Sequence, residues 1–284
     1  MSQDMNELLI ESIDSLPPLP QTVCDLQRYI DSAGANVEIS KVAQIICADP
    51  LVTAKLLQLA NSPYYGFSRE ITTIQQVINL LGIGNIRNIV IADSIRSDSK
   101  VDMSPYNLNT NEFLQKCNEE TRFISNWLLE EDKTLSYLLV PCAMLLRFGM
   151  IVFSNFLIQN HKDKDFLNAL KASKFEDIIS TEEQFLGVDH ISFLGFLFHR
   201  WAFDEGLVES VCFVNAPHSA GDNVKKNAYA LAITSNIFAP YNGGSKFRVD
   251  AALSLIKEAK EQGICFNVEN FKAKLPEFAK RNLS

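Results

Sequence analysis

The sequence lacks the usual markers of catalysis. It has four histidines, and none lies at the i, i+3 or i+4 spacing that aims two ligands from one helix turn at a metal. It has no GxxxxGK[ST], GxGxxG or GxSxG run. Gly82-Ile83-Gly84 lacks the third glycine and follows a helical pattern, so a dinucleotide turn fails on context. No two of Cys24, Cys47, Cys117, Cys142, Cys212 and Cys265 form a Cys-x-x-Cys pair. Five sit among apolar neighbours, which predicts reduced, buried thiols in a cytoplasmic protein. Basic residues are also scarce: Lys+Arg 26 against Asp+Glu 34 gives a net charge of −8, and the cations Arg69, Arg87, Arg96 and Lys100 are dispersed. Nucleic acid is therefore not an expected partner. The opening MSQDMNELLIESID has no basic n-region and no cleavage site, and so does not read as a signal peptide. Alternating hydrophobicity with hairpin signals is missing, so no strand is expected.

What is present is apolar and helical. Hydrophobic residues make up 47% of the chain, with 19 Phe, enough for a bulky core. Stripes at helical spacing run through Ile39, Val42, Ile45 and Ile46, then through Leu51, Ala54, Leu57 and Leu59 after Pro50, which suits a first helical turn. Phe113, Cys117, Thr121, Ile124 and Leu128 form a third stripe. Val249, Leu253, Ile256 and Ala259 form a fourth, with Gly263 as a stop. Thr72-x-x-Gln75 predicts a capping box that starts a helix ending at Gly82, and a further helix is expected over Met5–Ile13. Polar stretches at 97–109, 216–225 and 240–247 read as loops, the first a possible subdomain break. Leu135–Ile158 nearly reaches membrane-spanning length. Arg147 at its centre would cost about 2.5–3.5 kcal/mol in a bilayer, so a buried core helix is the better reading and no membrane is expected. The expectation is one all-α chain of about twelve helices over 1–284.

Few residues stand out as chemistry. His190 follows Asp189 and reads as a hydrogen-bonded structural histidine. The acidic pairs Glu119-Glu120, Glu130-Glu131 and Glu182-Glu183 read as solvated faces. Asn61-Ser62-Pro63-Tyr64-Tyr65-Gly66-Phe67 combines a helix end, a proline and three aromatics. It is either an edge of the core or a recognition loop. Asn61 is expected to hold it by bonding backbone groups, and at least one tyrosine is expected to be partly exposed.

These segments together resemble a known family. LPPLP (16–20), Ile45 to Pro50 (IICADP), Lys55 to Ser62 (KLLQLANS) and Ile74 to Gly82 (IQQVINLLG) are similar to the HDOD domain, the HD-related output domain of bacterial signalling proteins. The resemblance covers about 13–217, with additional C-terminal helices over 218–284. It implies an all-α fold related to the HD-type metal-dependent phosphohydrolases. Ala143 to Met150 (AMLLRFGM) resembles the HD stretch, with Leu146 and Arg147 where that pattern has its metal-binding His and Asp. Gly187-Val188-Asp189-His190 matches a GxDH element and Trp201 its helix-ending Trp, while Val214 and Asn215 replace a histidine pair. Of the ligand set only His190 remains, so neither a metal nor another cofactor is expected. The resemblance implies a stand-alone, non-catalytic regulator acting through contacts with other signalling proteins, with motility among the processes it points to. The alternatives are a metal-free nucleotide or cyclic-dinucleotide sensor using Arg147 in the old cleft, and a residual metal-dependent phosphohydrolase.

Overall fold

The structure, a computed structural model, describes residues 19–98, 100–241 and 245–281. The helix expected at Met5–Ile13 and the first three residues of LPPLP lie outside the described residues. Everything described is helix, turn or loop, as the sequence pattern predicts. In chain order the α-helices are α1 Gln21–Ala33, α2 Ile39–Cys47, α3 Pro50–Ala60, α4 Ile74–Leu81, α5 Ile83–Asp98, α6 Thr110–Glu131, α7 Lys133–Leu145 and α8 Phe148–Gln159. They continue as α9 Asp163–Ala172, α10 Ile178–Leu186, α11 His190–Arg200, α12 Glu205–Cys212, α13 Lys225–Ile237, α14 Ser245–Glu261, α15 Val268–Lys274 and α16 Glu277–Lys280. This is a finer division than about twelve, because single turns at Gly34–Asn36, Ser104–Tyr106 and Pro217–Ser219 and tight corners split the longer patterns.

Local signals set the boundaries. Asp49 caps α3: its Oδ1 accepts from Leu51 N at 2.9 Å and Val52 N at 3.1 Å, and Pro50 takes the first turn. Its Oδ2 accepts from the Thr22 hydroxyl at 3.1 Å, which ties α3 to α1. The capping box of α4 sits one residue later than the expected Thr72/Gln75 pair. Thr73 Oγ1 accepts from Gln76 N at 3.2 Å, and Gln76 Oε1 accepts from Thr73 N at 3.1 Å. The register is set by burial, since this start turns Ile74, Val77, Ile78 and Leu81 inward. Gly82 ends α4 with φ +80°, a conformation natural to glycine.

The apolar stretch behind α7 and α8 is not one helix. Lys133–Gln159 is long and apolar enough to cross a membrane, yet 94% of its apolar window is buried by the rest of the chain. It breaks at Leu146-Arg147 into α7 and α8. α6 packs along α7, α11 against α8 and α12, and α13 against α14. Trp127 of α6 stacks with Phe123 and meets Phe266 and Phe271 of the C-terminal region, so the last helices share the main core, which runs from Val23 to Ala279. The first helices join it through polar clasps. Gln27 Nε2 donates to the Trp201 carbonyl, Arg87 Nη2 to the Ala202 carbonyl, and Asn88 Nδ2 to Asp204.

Two expectations about burial need correction. Only Cys142 is fully buried; Cys24 and Cys117 are half-buried, and Cys47, Cys212 and Cys265 are exposed. Cys47 and Cys212 are the last residues of α2 and α12, where the helix end faces outward although the sequence neighbours are apolar. The stripe of α3 is also shifted. Leu56 and Ala60 are buried, Leu57 and Leu59 are half-buried, and Leu51 is 73% exposed. α3 packs against α2, α4 and α5, which leaves its Leu51 side uncovered.

Candidate functional site

The break between α7 and α8 builds a buried polar centre. Leu146 turns fully into the core, while Arg147 opens α8 with only 6% of its surface exposed. A buried guanidinium needs a countercharge and acceptors. Glu120 of α6 supplies both: Arg147 Nη2 donates to its Oε1 at 3.0 Å and Nε to its Oε2 at 3.3 Å. Nη2 also donates to the Ser235 carbonyl of α13 at 2.7 Å. One side chain thus joins α6, α8 and α13. Burial pushes the Glu120 carboxyl above the usual carboxylate range, opposed by the charge and hydrogen bonds of Arg147.

A second buried pair lies at the start of α11. Glu182 of α10 has no exposed surface. Its Oε2 accepts from His190 N at 2.9 Å and lies 2.7 Å from His190 Nδ1; its Oε1 accepts from the Tyr106 hydroxyl at 2.7 Å. His190 Nε2 is buried without a hydrogen-bond partner among the described residues. Burial, and then the Glu182 charge, raises the Tyr106 phenol well above its ordinary value. Gly149 lets α8 approach, since a Cβ there would overlap the His190 carbonyl. Among the described residues, no three His, Cys, Asp or Glu side chains converge in a group that could hold a metal ion.

Asp189 caps α11 rather than facing this centre. Its Oδ1 accepts from Ile191 N at 2.8 Å, Ser192 N at 3.1 Å and Asn215 Nδ2 at 3.1 Å. Asn215 is exposed apart from that bond, and Val214 is buried in the core. Of the five positions singled out in the sequence, then, Arg147 and His190 engage buried carboxylates, Asn215 reaches the neighbouring Asp189, and Leu146 and Val214 serve packing.

The two carboxylates were missed, because Glu120 and Glu182 read as members of solvated pairs. The correction follows from helical phase. Glu120 lies three residues after Cys117 and four before Ile124, on the apolar stripe of α6, while Glu119 turns outward. Glu182 lies four residues from both Ile178 and Leu186, on the buried face of α10. An acidic residue on an apolar stripe, with Arg147 or His190 unmatched elsewhere, was the available signal.

The aromatic loop after α3 is built around Asn61. Its Nδ2 donates to the carbonyls of Leu57 at 2.9 Å and Ile71 at 2.8 Å, and its Oδ1 accepts from Ile71 N at 2.8 Å. One amide therefore caps α3 and holds the far end of the loop, without the left-handed backbone open to asparagine (φ −83°). Tyr64 hands its carbonyl to the Ser125 hydroxyl and Tyr65 hands its own to the Tyr137 hydroxyl. Tyr65 is fully buried, between Phe67 and Tyr137, and Tyr64 and Phe67 are half-buried. Ser62 accepts from Tyr64 N at 3.3 Å. Beyond Gly66, which has φ +55°, the chain rims an open cavity of about 510 Å³ with Arg69, Glu70, Gln76, Leu80 and Lys133.

Comparison with known proteins bears on both regions. The model of the HDOD domain matches residues 16–217. A solved structure of a virulence factor from Campylobacter jejuni subsp. jejuni is 63% identical, with a TM-score of 0.66 over 100% of this chain and 99% of that one. An HDOD domain protein of unknown function from Geobacter sulfurreducens shares the fold at 18% identity, with a TM-score of 0.59 over 96% and 97% of the two chains. A candidate phosphohydrolase from Shewanella amazonensis SB2B does so at 23% identity, with a TM-score of 0.65 over 94% and 93%. A curated relative, an uncharacterised protein of Treponema pallidum (strain Nichols), is 21% identical over 228 residues; these are 74% of this chain, which spans only 40% of that protein's length.

Proposed function

Because the chain belongs to the HDOD family, we propose that it is a non-catalytic regulatory protein that acts in bacterial signal transduction through contacts with other proteins. The observation that carries this reading is the Arg147–Glu120 ion pair. The HD resemblance puts a metal-binding His and Asp at Leu146 and Arg147. Here the first is an apolar core residue and the second a fixed cation closed on a buried carboxylate. A divalent ion at that point would face the guanidinium charge and lack ligands, since hydrolytic metal sites need several N or O donors and an open position for water. The remaining His190 is held by Glu182.

The same contacts weigh against a nucleotide sensor built on Arg147. Its Nε and Nη2 are engaged by Glu120 and Ser235, so a phosphate would have to displace a buried carboxylate. With no phosphate-binding loop in the sequence, protein contact is the favoured output, in the cytoplasm and in pathways such as motility control. The test has two arms. Protein purified without chelator and supplied with Mn, Fe, Ni or Zn is expected to carry no stoichiometric metal and to hydrolyse neither phosphomonoesters nor phosphodiesters. Affinity capture from the native cell, read by mass spectrometry, is expected to return defined partner proteins. A metal ion coordinated through His190 with metal-dependent hydrolysis would overturn the reading, and so would a thermal shift with a nucleotide that vanishes in Arg147→Met.

A further inference from the structure

The loop that Asn61 anchors leaves a strip of unused chemistry. Among the described residues, the backbone N–H groups of Phe67, Ser68, Arg69 and Glu70 make no hydrogen bond. These residues line the 510 Å³ cavity, whose other wall carries Leu80, a large apolar side chain left 47% exposed. Two exposed cations stand on the rim. Among the described residues, Arg69 has no ion pair, and Lys133 lies over the Tyr137 ring at 5.5 Å without a carboxylate partner. Among the described residues of the lining, Glu70 is the only acid beside Arg69 and Lys133, so this spot carries a small positive excess on a chain whose net charge is −8.

From this juxtaposition we propose that the cavity between the Phe67–Ile71 strip and Leu80 docks an acidic peptide segment of a partner protein, with an apolar side chain against Leu80 and Phe67 and flanking carboxylates on Arg69 and Lys133. N–H groups of the strip donate to carbonyls of the bound segment. The apolar contact provides affinity, and the cations select against basic segments. The proposal deepens the protein-contact reading, rests on it, and names the partner's chemistry and the surface used.

The probe is a pool of synthetic hexapeptides with Asp or Glu flanks and two central positions drawn from Leu, Ile, Phe and Met. A second pool carries Lys flanks. Titration of the isotope-labelled protein, followed by NMR, is expected to shift the Phe67–Ile71 and Leu80 signals with the acidic pool alone. Arg69→Glu with Lys133→Glu, and separately Leu80→Asp, are expected to weaken binding roughly tenfold or more. All three positions are exposed, and the wild-type map needs no variant. No shift at about 1 mM peptide, shifts confined to other surfaces, or equal binding of the basic pool would overturn the proposal. Captured cellular partners separate the two levels: partners retained by the Arg69→Glu/Lys133→Glu protein sink the groove and leave the contact reading standing, whereas the absence of any partner for the wild type sinks the contact reading.

Discussion

Asn61 is an exposed residue whose amide nevertheless makes three hydrogen bonds, and they close a ten-residue loop on the end of its own helix. Replacing it with Leu removes all three and leaves the Ile71 N–H and carbonyl of the loop unpaired. Asn61→Leu is expected to destabilise the fold by about 1–3 kcal/mol in chemical denaturation; an unchanged midpoint would show that the loop holds without it. Arg147 presents the opposite case, a charge that is tolerable only with its partner. Arg147→Met alone strands Glu120 in the core and is expected to cost about 3–5 kcal/mol, while Arg147→Met combined with Glu120→Leu is expected to recover most of that loss. Additive costs in this double-mutant cycle would show that the two side chains do not depend on each other.

At the scale of elements, two carboxyls that cap helix starts are held low. The Val52 N–H bond holds the Asp49 carboxyl below its ordinary 3.8, and hydrogen bonds from Ser180 do the same for Asp177 at the start of α10. A carboxylate with a lower pKa in the folded than in the unfolded chain adds stability above the unfolded value. That stability drains as pH falls through the folded value. Asp49→Asn with Asp177→Asn keeps capping side chains but cannot titrate. The double variant is therefore expected to lose less stability than the wild type between neutral pH and about pH 3; identical pH profiles would place the acid response elsewhere. Packing within helices gives a second contrast. Leu145 is fully buried at the end of α7, whereas Leu57 of α3 is half-buried. Leu145→Ala is expected to cost about 2–5 kcal/mol and Leu57→Ala distinctly less. Equal losses would contradict the uneven covering of α3.

For the whole molecule, the aromatic cluster of Trp127, Phe123, Phe266 and Phe271 joins the region matched by the family model to the helices beyond it. Asn270 adds polar contacts, with Nδ2 donating to the Trp127 carbonyl at 2.9 Å and to Glu131 at 3.0 Å. Phe271→Ala, which empties a fully buried site, is expected to cost about 3–5 kcal/mol. The tryptophan-fluorescence and circular-dichroism transitions are expected to move down together, since they report one cooperative core. If only the fluorescence transition moved, the C-terminal helices would be unfolding separately.

Much of this was legible in the sequence because it depends on neighbours along the chain. Helical spacing, Asp49-Pro50, Gly82 and the Asn61–Phe67 loop follow from local backbone chemistry, and Ile74, Ile78, Leu81, Leu145, Leu194, Leu197 and Trp201 are buried as their patterns require. The HD resemblance implies that Leu146, Arg147, Val214 and Asn215 stand at ligand positions of that pattern, and this follows from alignment to a family and not from the local chemistry of the chain. The partners of the charged groups could not be seen. Glu120 lies 27 residues from Arg147, Tyr106 lies 76 from Glu182, and Ser235 lies 88 from Arg147. Whether an acid on a helix meets water or a buried cation depends on which helix covers it, as the outward turn of Cys47 and the bare Leu51 also show. The sequence by itself determined the helical pattern; the packing of α6, α8, α10, α11 and α13 decided that Arg147 meets Glu120 and His190 meets Glu182 in the interior, because only tertiary contact removes the water that would otherwise solvate them.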